Sequence, residues 1–485
     1  MSSFQLPIQN QLKLAITLGL GMSSQHTIAV DKKTDEKKMN IVFLLADDIR
    51  WNSIGCMGNN IIVTPNIDAI ASNGIRYENA YVTTAISCVS RATLLTGQYM
   101  SRHTIDRFNK EIPMDKFVDT YPSILRNAGY FTGFVGKYGV GKIRKTDFDY
   151  VNEYEGKHWM PVNGIIESIG EDKRGKKYTR ITGDSIHVTD KNANDAIEFL
   201  KNRPTNNPFC LSVSFFAPHA EDRHPQQYRN KPSSEKYYKD VVIPVPETST
   251  IECLKALPPF IADEKSESRA RWHRRFDTPE KYQKYMKSYY RLISDMDEAV
   301  GRIVAELKKQ GVYENTLIVF MGDNGYLQSD HQLADKWYAY EQSIRVPLII
   351  YDPRVPEKSR GFANKNIVLN VDIAPTLVAA AGMPVPRVMQ GYDLSKTYLS
   401  KKSNAIRTDF FFEHPFILNE RFIQSSQALI TTTEKYIIYP HYKYEEYFNL
   451  KTDPKEVRNS FADIKNRKKI EKLKKRFELL KKLAN

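Results

Sequence analysis

Ser87-Cys88-Val89-Ser90-Arg91-Ala92-Thr93-Leu94-Leu95-Thr96-Gly97 follows the polar turn Thr83-Thr84-Ala85, so a small hydroxyl residue stands four positions before an arginine and the run closes on a glycine. Residues four apart share a helix face, and the Arg91 guanidinium can therefore reach a group bonded to Ser87. A helix starting at Ser87 also turns unpaired N–H groups toward the same place, which suits an anion. An ordinary capped helix with a surface arginine fits the same residues. Other stretches must decide.

Asn40 to Ala46 is a continuous apolar run ending in Asp47-Asp48, and Asn315 to Gly322 repeats the arrangement before Asp323-Asn324-Gly325. Such runs are typical of buried parallel strands, whose carboxyl ends collect ligands. One acidic pair after a strand is commonly just a polar turn. Two pairs point to a shared site for a hard divalent cation, because adjacent carboxylates repel each other unless a cation lies between them.

Gly136-Lys137-Tyr138-Gly139-Val140-Gly141 puts a lysine in a glycine-rich turn after the apolar stretch Tyr130 to Val135. A structural turn explains this equally well. Phe209 to Ala217 is a further buried-strand pattern, and Pro218-His219 ends it. A histidine there suits proton transfer, its unperturbed pKa being about 6.5, although single histidines often serve packing.

The Ser87 to Gly97 segment resembles the signature of the type I sulfatases: Cys or Ser, any residue, Pro or Ala, Ser, Arg, with Thr-Gly at a fixed distance. Ser90, Arg91, Thr96 and Gly97 fit and set Ser87 at the first position; Val89 stands where proline or alanine is usual. The resemblance implies that Ser87 is oxidised by a maturase to formylglycine, whose hydrated aldehyde is the nucleophile. It assigns Asp47, Asp48, Asp323, Asn324 and Ser87 to a metal, calcium first and magnesium second. It gives Lys137 and Lys336 to the sulfate and makes His219 the general acid. Lys336 lies in His331 to Ile350, another match, and His331 is expected near the substrate. The family's Gly-Lys-Trp-His-Leu-Gly segment has a histidine where this chain has Gly139.

The elements that must position these residues follow from the rest of the chain. Its 485 residues, 41% of them hydrophobic, suffice for one large α/β domain with an appendage and exclude a single small binding module. The expected fold is α/β: an alkaline-phosphatase-like mixed sheet flanked by helices, with a smaller C-terminal α+β subdomain of antiparallel sheet plus helix. Residues 38–405 form the expected catalytic domain and 406–485 the subdomain. Short aromatic strands are read at Phe410 to Glu413, Ala428 to Thr432 and Lys435 to Tyr439, then a helix with the stripe Ile470, Leu473, Phe477 and Leu480. Ser288 to Gln310 reads as an amphipathic helix through Leu292, Met296, Val300, Ile303 and Leu307.

Residues 1–24 carry the apolar run Leu12 to Met22 behind Lys13, followed by Ser23 and Ser24, which reads as a signal peptide and implies a periplasmic or secreted protein without a transmembrane anchor. The four cysteines, Cys56, Cys88, Cys210 and Cys253, show no metal-site spacing. A net charge of +14 suits acidic substrates, with nucleic acid not expected as the partner. Residues 220–287 look like an insertion in which Trp272 among Arg269, Arg271, Arg274 and Arg275 is read as a platform for a sugar ring, Arg271 and Arg274 meeting its acidic groups; a solvated basic face is the other reading. The expected activity is hydrolysis of sulfate esters on a polysaccharide or its oligosaccharides. The alternatives are a phosphodiesterase or phosphonate hydrolase of the same superfamily, and a silent polyanion-binding protein.

Overall fold

The computed structural model describes residues 38–485 apart from 155, 164, 172–176, 223, 400–404 and 416–418. The expected signal peptide, residues 1–24, lies outside the described residues. In the two larger sheets the strands are β1 (Asn40–Ala46), β2 (Ile75–Tyr81), β3 (Phe131–Gly136), β4 (Tyr150–Glu153), β5 (Phe209–Ser214), β6 (Thr316–Gly322), β7 (Leu348–Tyr351), β8 (Phe362–Leu369), β9 (Asp409–His414), β10 (Ser426–Thr431), β11 (Glu434–Tyr439) and β12 (Tyr444–Asn449). The principal helices are α1 (Ser87–Thr96), α2 (Val188–Asn202), α3 (Glu267–Arg275), α4 (Pro279–Lys309), α5 (Ile373–Ala380) and α6 (Arg467–Ala484).

The large sheet runs β8-β2-β7-β6-β1-β5-β3-β4. Its centre is parallel, β3 with β5, β5 with β1 and β1 with β6, and β7 is antiparallel to both β6 and β2. The unbroken apolar run of β1 has a simple cause. Successive strand residues point to opposite faces: Ile41, Phe43 and Leu45 enter one core while Val42, Leu44 and Ala46 enter the other. Helices α1 and α5 cover the first face with Leu94, Leu95, Ala374 and Leu377, and α2 and α4 cover the second with Phe199, Leu292, Met296 and Val300. Each fully buried aliphatic side chain of that kind contributes about 1.5–3 kcal/mol of transfer free energy.

The expected α/β class with a separate small antiparallel sheet is therefore observed, β9-β10-β11-β12 in sequential order. The helix α6 lays Ile470, Leu473 and Phe477 on Phe411, Leu429 and Tyr436 of that sheet. Its other face, with Phe410, Phe412, Ala428 and Ile437, joins the main core. Among the described residues no helix is long and apolar enough to cross a membrane.

Candidate active site

Parallel pairing puts the carboxyl ends of β3, β5, β1 and β6 side by side, and the residues just past each end make the site. Ala46 pairs with Gly322, so Asp47-Asp48 and Asp323-Asn324, some 275 positions apart in sequence, become neighbours. The Asp48 N–H donates to Asp323 Oδ1 at 3.1 Å, and Asn324 Nδ2 donates to Asp48 Oδ1 at 2.7 Å. Asp48 holds a left-handed φ of 61°, and its carbonyl accepts from the buried Tyr289 hydroxyl at 2.8 Å. Non-glycine residues keep such a conformation only where their surroundings impose it.

Helix α1 begins at Ser87 after an extended Ile86 and closes on Gly97, whose φ of 65° suits a residue without a Cβ. Its first hydroxyl is thereby turned inward. Ser87 Oγ donates to Asp47 Oδ1 at 3.0 Å and lies 3.4 Å from Asn324 Oδ1. The neighbouring Cys88 points into the core, where burial pushes its thiol up to about 12. Reactivity alone would have favoured it; the fold does not.

Arg91, one turn on, donates through Nε to Asp323 Oδ2 at 2.9 Å and through Nη1 to the Lys137 carbonyl at 2.6 Å and to Ser214 Oγ. Lys137 pairs with Asp47, and Lys336 with Asp48. His219 Nε2 stands 3.5 Å from Asp48 Oδ2, while its Nδ1 lies 2.6 Å from the Ala220 carbonyl. A carbonyl only accepts, so Nδ1 carries a proton and Nε2 is the nitrogen turned to the site.

Burial raises the Asp47 carboxyl, yet Lys137, His219, Arg91 and Lys336 outweigh it and hold the group far below the usual carboxylate range. Asp323 moves the other way, pushed up by burial and by the Asp47 carboxylate. Burial also draws His219 below its ordinary value, against the pull of Asp48 and Asp47. Three carboxylates are thus balanced by Arg91, Lys137 and Lys336.

The donor set fits a hard divalent ion. Asp47, Asp48 and His219 place ligand atoms within 4.8 Å of one another, and the buried Asp48 Oδ2 accepts no hydrogen bond among the described residues. A cation among these oxygens would take over the carboxylates and release both lysines toward an anion.

Gly139 has a φ of 71°, and a Cβ there would sit 2.9 Å from Arg91 Cδ. Where the family pattern has a histidine, this backbone closes directly over the guanidinium.

The four expected substrate contacts lie in different surroundings. Trp272 is buried rather than displayed as an open platform: its Nε1 donates to Ser329 Oγ at 2.8 Å, and Arg269 stacks over the ring at 4.5 Å. His331 is fully buried with its ring stacked 5.6 Å from that of Tyr340. Arg271 is held by Asp222 at 2.9 Å, Asp335 at 3.0 Å and Glu267 at 2.8 Å, and Arg274 is exposed.

Sequence reasoning missed the support behind Lys336. Fully buried Arg275 binds Asp335 at 2.7 Å and Asp222 at 2.6 Å, and Asp335 and Trp337 flank the lysine with left-handed φ values of 73° and 88°. The alternation of acids and arginines was visible, but nothing in it told that they face inward.

The model of the sulfatase family matches residues 39–383, and that of the N-sulphoglucosamine sulphohydrolase C-terminal region matches 329–483. The chain belongs to the sulfatase family, enzymes that hydrolyse sulfate esters. It is 28% identical to an N-acetylglucosamine-6-O-sulfatase of Bacteroides thetaiotaomicron, over 98% of this chain and 91% of the relative. It is 27% identical to an arylsulfatase of Clostridium perfringens, over 90% and 93%. A protein whose structure was solved in complex with its substrate D-glucosamine-2-N,6-O-disulfate superposes with a TM-score of 0.72 at 25% identity, covering 92% of this chain and 98% of that one.

Proposed function

We propose that the protein is an exported, formylglycine-dependent sulfatase acting on a sulfated polysaccharide or its oligosaccharides. The observation that carries this reading is the position of Ser87, whose hydroxyl bridges Asp47 and Asn324 at the start of a helix with Arg91, Lys137 and Lys336 around it. Oxidation of Ser87 to formylglycine by a maturase would supply a hydrated aldehyde as nucleophile. Asp47, Asp48, Asp323, Asn324 and the oxidised Ser87 would hold a divalent cation, calcium before magnesium for an all-oxygen set, which supplies positive charge beside the nucleophile.

The chain's own side chains do the rest. Arg91, Lys137 and Lys336 bind the sulfate oxygens and counter the charge that builds on them. His219 acts in its doubly protonated form, which Asp48 and Asp47 favour: Nε2 gives its proton to the departing sugar oxygen while Nδ1 keeps its own on the Ala220 carbonyl. Arg271, held beside Lys336 through Asp335, meets a further polar group of the glycan, and Arg274 continues the same basic segment. The sugar preference is supported by the relatives' substrates, and export to the periplasm or medium by the apolar run of residues 12–22.

The deciding experiment is mass spectrometry of the Ser87 peptide from protein made with a serine-type maturase, together with sulfate release from glycosaminoglycan oligosaccharides. A peptide lighter by two hydrogens and release of sulfate, with no turnover of a phosphate diester, is the expected result. An unmodified serine, or preference for the diester, overturns the reading.

A further inference from the structure

The ring of His219 takes its direction from the main chain. Its Nδ1 lies 2.6 Å from the carbonyl of the next residue, Ala220, so the ring follows the backbone at 219–220. Within its own turn that backbone is held by the His219 N–H, which donates to the Phe216 carbonyl at 3.0 Å. A second hold comes from 61 residues away: His158 Nε2 stands 2.9 Å from the His219 carbonyl. A carbonyl only accepts, so Nε2 of His158 carries a proton and donates it to this bond.

His158 is itself fixed on several sides. It is fully buried, and its carbonyl accepts from Val188 N at 2.6 Å, at the start of α2. Its N–H donates to Glu221 Oε1 at 2.6 Å, and its Nδ1 lies 3.3 Å from both Glu221 Oε1 and Arg229 N. Glu221, two residues past His219, is paired in turn with Arg229 at 3.3 Å. The ring of Phe216 packs against both histidines, its centre 5.0 Å from that of His158 and 5.1 Å from that of His219. Lys137 Nζ lies 5.6 Å from the centre of the same Phe216 ring.

None of these contacts is to Asp47, Asp48 or Ser87, so His158 acts on the site through His219. That is enough to matter. A general acid contributes about a hundredfold or more only while its proton points at the departing oxygen, and a displacement of about 1 Å forfeits much of that gain. We propose that His158 is a positioning residue of the reaction: its Nε2–H, bonded to the His219 carbonyl, sets the main chain that aims the acid, and Glu221 holds His158 in place for that bond. The inference rests on the sulfatase reading, with His219 as the acid.

Two amide variants separate reach from bulk. The side-chain amide of His158→Gln extends to where Nε2 stood, and that of His158→Asn only to where Nδ1 stood, so both keep a polar group and one keeps the bond. The first readout needs no turnover: in 15N-histidine-labelled protein with Ser87 unmodified, the Nδ1–H of His219 is followed by NMR and assigned by its loss in His219→Asn. Its exchange with water should be about tenfold faster in His158→Asn and close to the parent's in His158→Gln. In protein made with the maturase, His158→Asn should lose about thirtyfold in kcat on a sugar sulfate, with KM within about twofold, and less than about threefold on nitrophenyl sulfate, whose leaving group needs no proton. His158→Gln should stay within about threefold of the parent on both. Equal losses on the two substrates, no rescue by glutamine, an unchanged His219 signal in the asparagine variant, or failure of either variant to fold overturns the proposal. Failure of the sulfatase reading would show separately, as a parent that releases no sulfate while the His219 signal still distinguishes the two variants.

Discussion

At the carboxyl ends of β1 and β6, three buried carboxylates meet three cations; under the small sheet, Lys435 alone meets Glu456 at 2.5 Å and Glu341 at 3.0 Å, with Glu446 close by. Both groups are shut from water. In the second, the unmatched carboxyl of Glu446 is pushed up to about 8 by burial and accepts from the hydroxyls of Tyr340, at 3.1 Å, and Tyr439, at 3.0 Å. It is a neutral clasp between the core and the small sheet. In the first, Asp47 stays ionised and Asp48 keeps one oxygen unbonded. A cluster that keeps an ionised carboxylate and an open acceptor can exchange partners, whereas one whose surplus acid is protonated and bonded to two tyrosines is fixed.

The comparison is sharpened most by Ser87→Ala. It removes the proposed formylglycine precursor without touching the balance of charge, so hydrolysis of an aryl sulfate should fall by about ten-thousand-fold or more with the melting temperature unchanged. A melting temperature lowered as much as the rate would make the cluster structural. The converse variant is Lys435→Met, which strands Glu456 and should cost about 3–5 kcal/mol in urea unfolding while kcat/KM of the folded protein holds. Lost activity with unchanged stability would erase the distinction between the two clusters.

A smaller effect separates the roles within the site. His219→Ala should lower kcat/KM by about a hundredfold on a sugar sulfate, whose alkoxide must be protonated as it leaves. On nitrophenyl sulfate, whose leaving group needs no proton, the loss should stay within about tenfold. Equal losses on both substrates would assign His219 to binding.

The legible part of this molecule was whatever a single strand or helix carries by itself. The run Asn40–Ala46 is apolar on both faces because both faces are covered, and the acidic pairs after β1 and β6 repeat within their own segments. That the two pairs adjoin depends on strand pairing, which the repetition suggested and the ladder supplied. Direction was harder. Trp272 and Arg275 look alike in sequence to an exposed basic patch, but on α3 they face inward. Helix α4 starts at Pro279 rather than near Ser288, since Tyr282, Tyr285 and Tyr289 extend its buried stripe and Thr278 caps it. The strand Tyr444–Asn449 was not read from the sequence, its alternation being blurred by Glu445 and Glu446. Glu446 faces inward there and is neutralised by burial, which composition does not reveal.

The last test concerns that neutral acid. Its ordinary value of 4.5 in the unfolded chain rises to about 8 in the fold, so the folded state binds the extra proton between those limits. Stability from this group is then fully present below pH 4.5 and is lost as pH rises toward 8, because ionisation of a buried carboxyl is resisted only in the folded state. Glu446→Gln keeps an acceptor for the two tyrosines and removes the titration. The melting temperature of the variant should therefore decline less than that of the parent between about pH 5 and 8. Parallel declines would mean that Glu446 is ionised in the fold, and that Lys435 neutralises it as the lysines neutralise the aspartates of the active site.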